Sequence, residues 1–166
     1  GDTSAYADVY RVKPKEVAFY IQDKMEFDDM VINVGVRYDQ FDPASDYPSD
    51  RRNPANQLIL PDSMTSKYPQ APIIEQVSPR IGFAYQLGNQ AVLHFSYGHF
   101  FQMPPMYAMY QNHSYLVDPN DYVTRMGNTL LEPEKTITYE IGLWQELSRQ
   151  VSLDVALFYR DIYNLL

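Results

Sequence analysis

The sequence predicts an all-β fold, an antiparallel meander of about six long strands that crosses a membrane as part of a β-barrel. Apolar residues alternate with polar or small residues over segments of about 9–12 residues, the strand length that crosses a bilayer at a tilt. Short turns alternate with long connectors along the chain. Tyrosine accounts for 15 of 166 residues, and aromatic residues concentrate near the predicted strand ends, as in the girdles of membrane barrels.

The alternation is clearest in a hairpin whose tight turn lies at Gly88 and Asn89. A period of two places Ile81, Phe83 and Tyr85 on one face of a sheet and their neighbours on the other. One hairpin with the same pattern precedes it in the sequence, and another follows it. The six strands are predicted near residues 17–27, 30–41, 79–87, 91–101, 136–147 and 151–163.

Two long loops, at residues 42–78 and 102–135, separate the hairpins. The first is rich in proline and does not alternate, and the second is predicted to hold a short helix near residues 105–111. A structureless loop of this size argues against a compact soluble domain. In an outer-membrane barrel it is the expected extracellular loop, with the short turns on the periplasmic side.

The two predicted faces differ in kind, since one is nearly all large apolar residues and the other mixes charged, polar and small residues. A soluble β-sandwich also alternates in this way. The uniform strand length, the loop asymmetry and the aromatic strand ends favour the barrel. Because a charge facing lipid is costly, the polar face is predicted to face the lumen. Its candidate residues are Asn33, Arg37, Asp39, Arg80, His94, Glu140, Asp154 and Arg160.

Composition excludes several functional classes. The net charge of −8 and the pI near 4.7 argue against a nucleic-acid partner. Cysteine is absent, which excludes disulfides and thiolate chemistry. No apolar run is long enough for a transmembrane helix. No signal peptide is visible, so we expect either an internal fragment of a longer protein or a fragment studied alone.

No catalytic motif appears, so we predict that the chain is not an enzyme and holds no cofactor or metal. Met103, Met106 and Met109 recur at a spacing of three, which suits either a copper(I) site or the packing of a loop. Aromatic loop residues suggest a ligand-binding surface, and ordinary loop packing is the stronger alternative explanation. The loop residues predicted to contact ligand are Tyr107, Tyr110, His113 and Tyr115.

Six segments, in this order, resemble the C-terminal half of the barrel of TonB-dependent outer-membrane receptors. The resemblance extends over nearly all of residues 15–166. Within the family, the segments most resemble receptors that carry an N-terminal carboxypeptidase-regulatory-like domain. The segments are AFYIQDKMEF, INVGVRYDQFDP, SPRIGFAY, FSYGHFFQMPP, GNTLLEPEKTITYEIGL and VALFYRDIYNLL.

The resemblance implies a barrel of about 22 strands with an internal plug domain in the outer membrane of a Gram-negative bacterium. It implies energy-coupled uptake of a scarce ligand (a siderophore, cobalamin, glycan or peptide), with outer-membrane lipid and the periplasmic TonB complex as partners. Neither a plug nor a TonB box is visible in the sequence. The six predicted strands cannot close a barrel of that size, so the edge strands need partners, either missing strands or a second copy. A passive porin-like barrel and a soluble β-sandwich binding module are the alternatives.

Overall fold

The computed structural model describes residues 11–51, 53, 55–56, 61, 64–112 and 125–165. Within them, six long strands and one short helix follow each other in the order β1, β2, β3, β4, α1, β5, β6. The strands form one sheet in which each strand pairs with the next along the chain. The elements are β1 (Lys15–Glu26), β2 (Met30–Asp42), β3 (Ile74–Leu87), β4 (Ala91–Gln102), α1 (Met106–Tyr110), β5 (Glu134–Ser148) and β6 (Val151–Tyr163).

The predicted all-β meander is therefore confirmed. The clearest difference lies in β3, which begins at Ile74 rather than near residue 79. The apolar residues Ile74 and Val77 are three positions apart, which breaks the period of two before residue 79, yet the backbone there already belongs to the strand. The described sheet leaves β1 and β6 as edge strands.

Tight turns close the hairpins. At the first, the backbone groups of Phe27 and Met30 bond each other, with N···O distances of 2.8 and 3.4 Å. At the second, Gly88 has a φ of 63°, which glycine adopts at no steric cost. At the third, β5 ends at Ser148 and β6 begins at Val151, and the register shifts by a bulge between Glu146 and Ser148.

The chain divides into two compact units, of which one is the sheet and the other is built from the connectors. In the connector unit, residues 45–49 and 67–71 lie antiparallel and exchange backbone hydrogen bonds of 2.8–3.0 Å. The small core of this unit contains Phe41, Met109 and Tyr110, which are each 1–2% exposed. The connectors therefore fold around apolar contacts of their own, which their irregular sequences did not predict.

A second contact in the connector unit joins α1 to residues 127–128. The backbone N–H of Gly127 donates to the carbonyl of Gln111 at 2.7 Å, and that of Asn128 donates to the carbonyl of Ala108 at 2.8 Å. A Cβ atom on Gly127 would lie 2.5 Å from the carbonyl carbon of Met109. Only glycine allows the two backbones to approach this closely.

Candidate functional site

The register of β3 to β6 sorts their side chains onto two faces. On one face, Arg80, Gly98, Thr138 and Arg160 form a row across the four strands, and the next row contains Gly82, Ser96, Glu140 and Phe158. Successive residues of a strand point to opposite faces, so the residues between these rows lie on the other side. We call the first side the polar face.

The polar face contains a hollow of about 660 Å³. Gly35, Gly82 and Gly98 contribute to its lining on three neighbouring strands. The Phe100 ring lies close over Gly98, where a Cβ atom would be 3.2 Å from it. Tyr20 and Phe100 contribute aromatic rings to its lining. The predicted residues Asn33, Arg37, Arg80, Glu140 and Arg160 also line this hollow, so the structure brings them together.

Two of its arginines are held in place by other residues. The Nε atom of Arg37 donates to both carboxylate oxygens of Asp39, at 2.9 and 3.0 Å, and an Nη atom lies 2.8 Å from Oδ1. Asp39 is only 4% exposed, so this pairing compensates a buried charge. The guanidinium carbon of Arg80 lies 4.8 Å from the centroid of the Phe100 ring, a cation–π contact.

His94 lies over a glycine of the neighbouring strand. Its register partner on β5 is Gly142, and a Cβ atom there would lie 2.2 Å from Cε1 and Nε2 of the imidazole. The imidazole Nε2 is 3.7 Å from a carboxylate oxygen of Glu140. The absence of a side chain at Gly142 therefore makes room for His94 beside Glu140.

The register places the predicted residue Asp154 opposite Trp144, on the same face as Glu140 and Phe158. The sequence analysis did not anticipate three aromatic features of this face. Trp144 and Phe158 interrupt the polar set, although the period of two fixes their positions. The role of Phe100 beneath Arg80 depends on a cross-strand contact, which the sequence does not contain.

The loop candidates do not form one surface in the described residues. Tyr107 is 66% exposed and remains available to a ligand. Tyr110 is 1% exposed, and its hydroxyl donates to the carbonyl of Pro43 at 2.9 Å, so its assignment as a ligand contact is corrected to a packing role. His113 and Tyr115 lie outside the described residues.

The three methionines that recur at a spacing of three lie in different environments. Met109 is buried in the core of the connector unit, Met103 packs against that core and Met106 is exposed. These different environments favour the packing interpretation over a copper site. Among the described residues, no group of three or more histidine, cysteine or acidic side chains is arranged to hold a metal ion.

The opposite face of the sheet is apolar and exposed. Its rows across β3 to β6 contain Phe83, Phe95, Ile141 and Leu157, then Tyr85, Leu93, Leu143 and Val155. Most of these large side chains are exposed to solvent, and Leu157 is 70% exposed. An apolar surface of this extent is typical of a face that contacts lipid or another protein.

A tyrosine row borders this apolar face. Tyr97, Tyr139 and Tyr159 are register partners on three neighbouring strands, with ring centroids 5.0 and 6.2 Å apart. The hydroxyl of Tyr159 donates to Asp161 at 2.7 Å, and the hydroxyl of Tyr97 lies 2.6 Å from Nε2 of His99. Rings with an apolar body and a bonded polar tip suit a membrane interface.

Comparison with known proteins identifies the class. The chain matches the family described as TonB dependent receptor-like, beta-barrel, over residues 1–166, and it belongs to this family of outer-membrane transport receptors. No curated protein matches the sequence. In the part of the chain that the structure describes, no helix has the length and apolarity to cross a membrane.

Among solved structures, the chain is similar to the closed form of the ferric-catecholate import receptor Fiu from E. coli K12. The two share 20% sequence identity with a TM-score of 0.48. The match covers 90% of this chain and 21% of that receptor, so this chain spans about a fifth of the receptor's length.

Proposed function

We propose that residues 1–166 form part of the wall of one transmembrane β-barrel domain, in a receptor that imports a scarce ligand by energy coupling. The observation that most supports this proposal is the contrast between the two faces of the sheet formed by β3 to β6. One is apolar and exposed over several rows, and the other holds the charged side chains. A sheet closed into a barrel in a bilayer has this contrast, with the apolar face in lipid and the polar face in the lumen.

The family supplies the remaining parts of the proposal. The receptor lies in the outer membrane of a Gram-negative bacterium, with the short hairpin turns in the periplasm and the long loops, residues 42–78 and 102–135, on the extracellular side. The periplasmic TonB complex drives uptake through a plug domain. The ligand belongs to the siderophores, cobalamins, glycans or peptides, and the protein is a transporter rather than an enzyme.

The polar face then has a role in transport. Arg37, Arg80, Glu140 and Arg160 lie where they can meet either the ligand or the plug. Exposed loop residues such as Tyr107 would meet the ligand first. A passive porin would use the same faces, so energy coupling has to be tested on the whole protein.

The test combines location with energy dependence. The receptor, expressed at full length in its native host, should be found in the outer-membrane fraction. Deleting its gene should abolish growth on one scarce nutrient, and inactivating the TonB complex should have the same effect. Uptake that persists without the TonB complex would favour the porin-like alternative, and recovery of folded receptor from the soluble fraction would favour a soluble module.

A further inference from the structure

The apolar face of the sheet carries charge at only one end. In β3 to β6, which the structure describes in full, the carboxylate, lysine and arginine side chains that alternation places on this face are Glu75, Lys135 and Asp161. All three lie beyond the tyrosine row, at the end of the sheet where the long loops connect. With this face in lipid, as the proposed function requires, they lie at the membrane surface and can meet lipid headgroups.

Two of these residues, Lys135 and Asp161, are close enough to act on one ligand. In the register Lys135 pairs with Tyr163 and Asp161 with Ile137, so the two charged residues are diagonal neighbours on β5 and β6, about 7–8 Å apart. In the described part of the chain no ion pair joins them. A headgroup with one negative and one positive group can therefore lie between them and meet both.

Two neighbouring titratable groups are already bonded within the sheet. Nε2 of His99 lies 2.6 Å from the hydroxyl of Tyr97. The carboxylate of Glu75 accepts hydrogen bonds from a tyrosine and a glutamine of β2, at 2.6 and 3.2 Å. The opposite charges of Lys135 and Asp161 are therefore the pair that a ligand at this end of the face would meet.

A groove of about 220 Å³ lies on the apolar face beside this charged pair. The side chains of this face that line it are all apolar or aromatic: Phe95, Tyr139, Ile141, Leu157 and Tyr159. Glu140 and Phe158 also border it, although their side chains belong to the polar face. Tyr159 connects the groove to the charged pair, because its hydroxyl donates to Oδ1 of Asp161 at 2.7 Å. The groove therefore suits part of an acyl chain whose headgroup lies at the charged end.

We propose that Lys135, Asp161 and the groove bind one lipid molecule whose headgroup carries a phosphate and a primary ammonium group. Charge complementarity is the basis of the choice, because Lys135 donates to phosphate oxygens and Asp161 accepts from the N–H groups of the lipid. The proposal rests on the function proposed above, since it needs the apolar face to lie in lipid, and it adds the chemistry of one bound lipid. A second copy of this chain on the same face is the competing occupant.

The test uses three lipids with identical acyl chains: phosphatidylethanolamine, phosphatidylcholine and phosphatidylglycerol. Each is titrated into the full-length receptor in detergent micelles, and bound lipid is measured by native mass spectrometry. We expect phosphatidylethanolamine to bind about three- to tenfold more tightly than either of the others. The quaternary ammonium of phosphatidylcholine has no N–H to donate to Asp161, and phosphatidylglycerol has no cation.

Two variants separate the two ends of the headgroup. Asp161→Asn should reduce the affinity for phosphatidylethanolamine to that for phosphatidylcholine. Lys135→Gln should weaken the binding of all three lipids, because all three carry a phosphate. Arg149→Gln, in the turn at the opposite end of β5, is the matched control for the loss of a cation and should preserve both affinity and preference. Soluble phosphoethanolamine, which lacks acyl chains, should not displace the lipid at equal concentration.

Equal affinity of the wild-type receptor for the three lipids would overturn the proposal, as would a preference that survives Asp161→Asn. Displacement by phosphoethanolamine would contradict the part assigned to the groove. A receptor that binds no lipid and forms dimers would also overturn the proposal and favour the second copy as occupant. The membrane fraction that holds each variant is measured in parallel. A receptor in the soluble fraction contradicts the proposed function, whereas absence of the headgroup preference in an outer-membrane receptor contradicts only the lipid site.

Discussion

Replacing Gly142 by alanine gives a sharp prediction, because the new Cβ atom would occupy space that the His94 ring already fills. The distance to Cε1 and Nε2 would be 2.2 Å, well inside van der Waals contact. The ring must turn away, which also breaks its approach to Glu140 at 3.7 Å. Overpacking of this kind costs about 1–3 kcal/mol.

The same substitution has a favourable component. Glycine in the middle of a strand is less stable than alanine by about 0.5–1 kcal/mol. The net effect expected for Gly142→Ala is therefore a loss of about 1–2 kcal/mol. In a His94→Ala background the clash is absent, and the sign should reverse to a gain of up to about 1 kcal/mol.

Gly82→Ala is the matched control, since Gly82 lies on the same face but a Cβ atom there meets only Asn33, at 3.6 Å. The free energy of unfolding is measured by denaturant titration of the full-length receptor in micelles, followed by tryptophan fluorescence. The cross-strand contact is refuted if Gly142→Ala is no more destabilising than Gly82→Ala. It is also refuted if the loss persists after His94 is removed.

Three further predictions concern the connector unit and the tyrosine row. Gly127→Ala should lower the local stability of the connector unit by about 1–3 kcal/mol, because its Cβ atom would lie 2.5 Å from the backbone of Met109. The measurement is the rate of limited proteolysis in the loops, which should increase. Tyr110→Phe removes the hydrogen bond to the carbonyl of Pro43, which should destabilise the connector unit by about 1–2 kcal/mol and speed the same proteolysis. Tyr107→Phe, on the exposed surface, is the control and should leave the rate of proteolysis unchanged. Tyr139→Leu should lower the unfolding free energy by about 1–2 kcal/mol through its lost contacts with two neighbouring rings, whereas Ile141→Leu should cost less than about 1 kcal/mol.

Local periodicity was enough to predict the strands and the two faces. Ile81 and Arg80 belong to opposite faces whatever the partner strand is, because side chains alternate along any strand. Turn residues predicted where the hairpins reverse direction. Gly88 is an example, since it lies in a predicted turn and has a positive φ. These properties depend on a few neighbouring residues, so a single sequence contains them.

The remaining features depend on contacts between distant residues. Tyr110 resembles any loop tyrosine until the chain brings Pro43 to its hydroxyl. The fit of His94 over Gly142 requires the register of two strands whose residues are far apart in sequence. Arg80 and Arg160 share a row only after four strands have paired, and the hollow between them has no signature in either segment.

The proposed function requires that the apolar face of the sheet contacts lipid. Leu157 and Phe158 provide a matched test, since these adjacent residues are 70% and 72% exposed and lie on opposite faces. The measurement is the unfolding free energy of the full-length receptor in lipid bilayers, for Leu157→Arg and Phe158→Arg separately. Arginine on the lipid face near mid-depth should cost about 2–4 kcal/mol, and arginine on the lumen face less than about 1 kcal/mol. Equal costs, or a larger cost at Phe158, would contradict the assignment of the two faces.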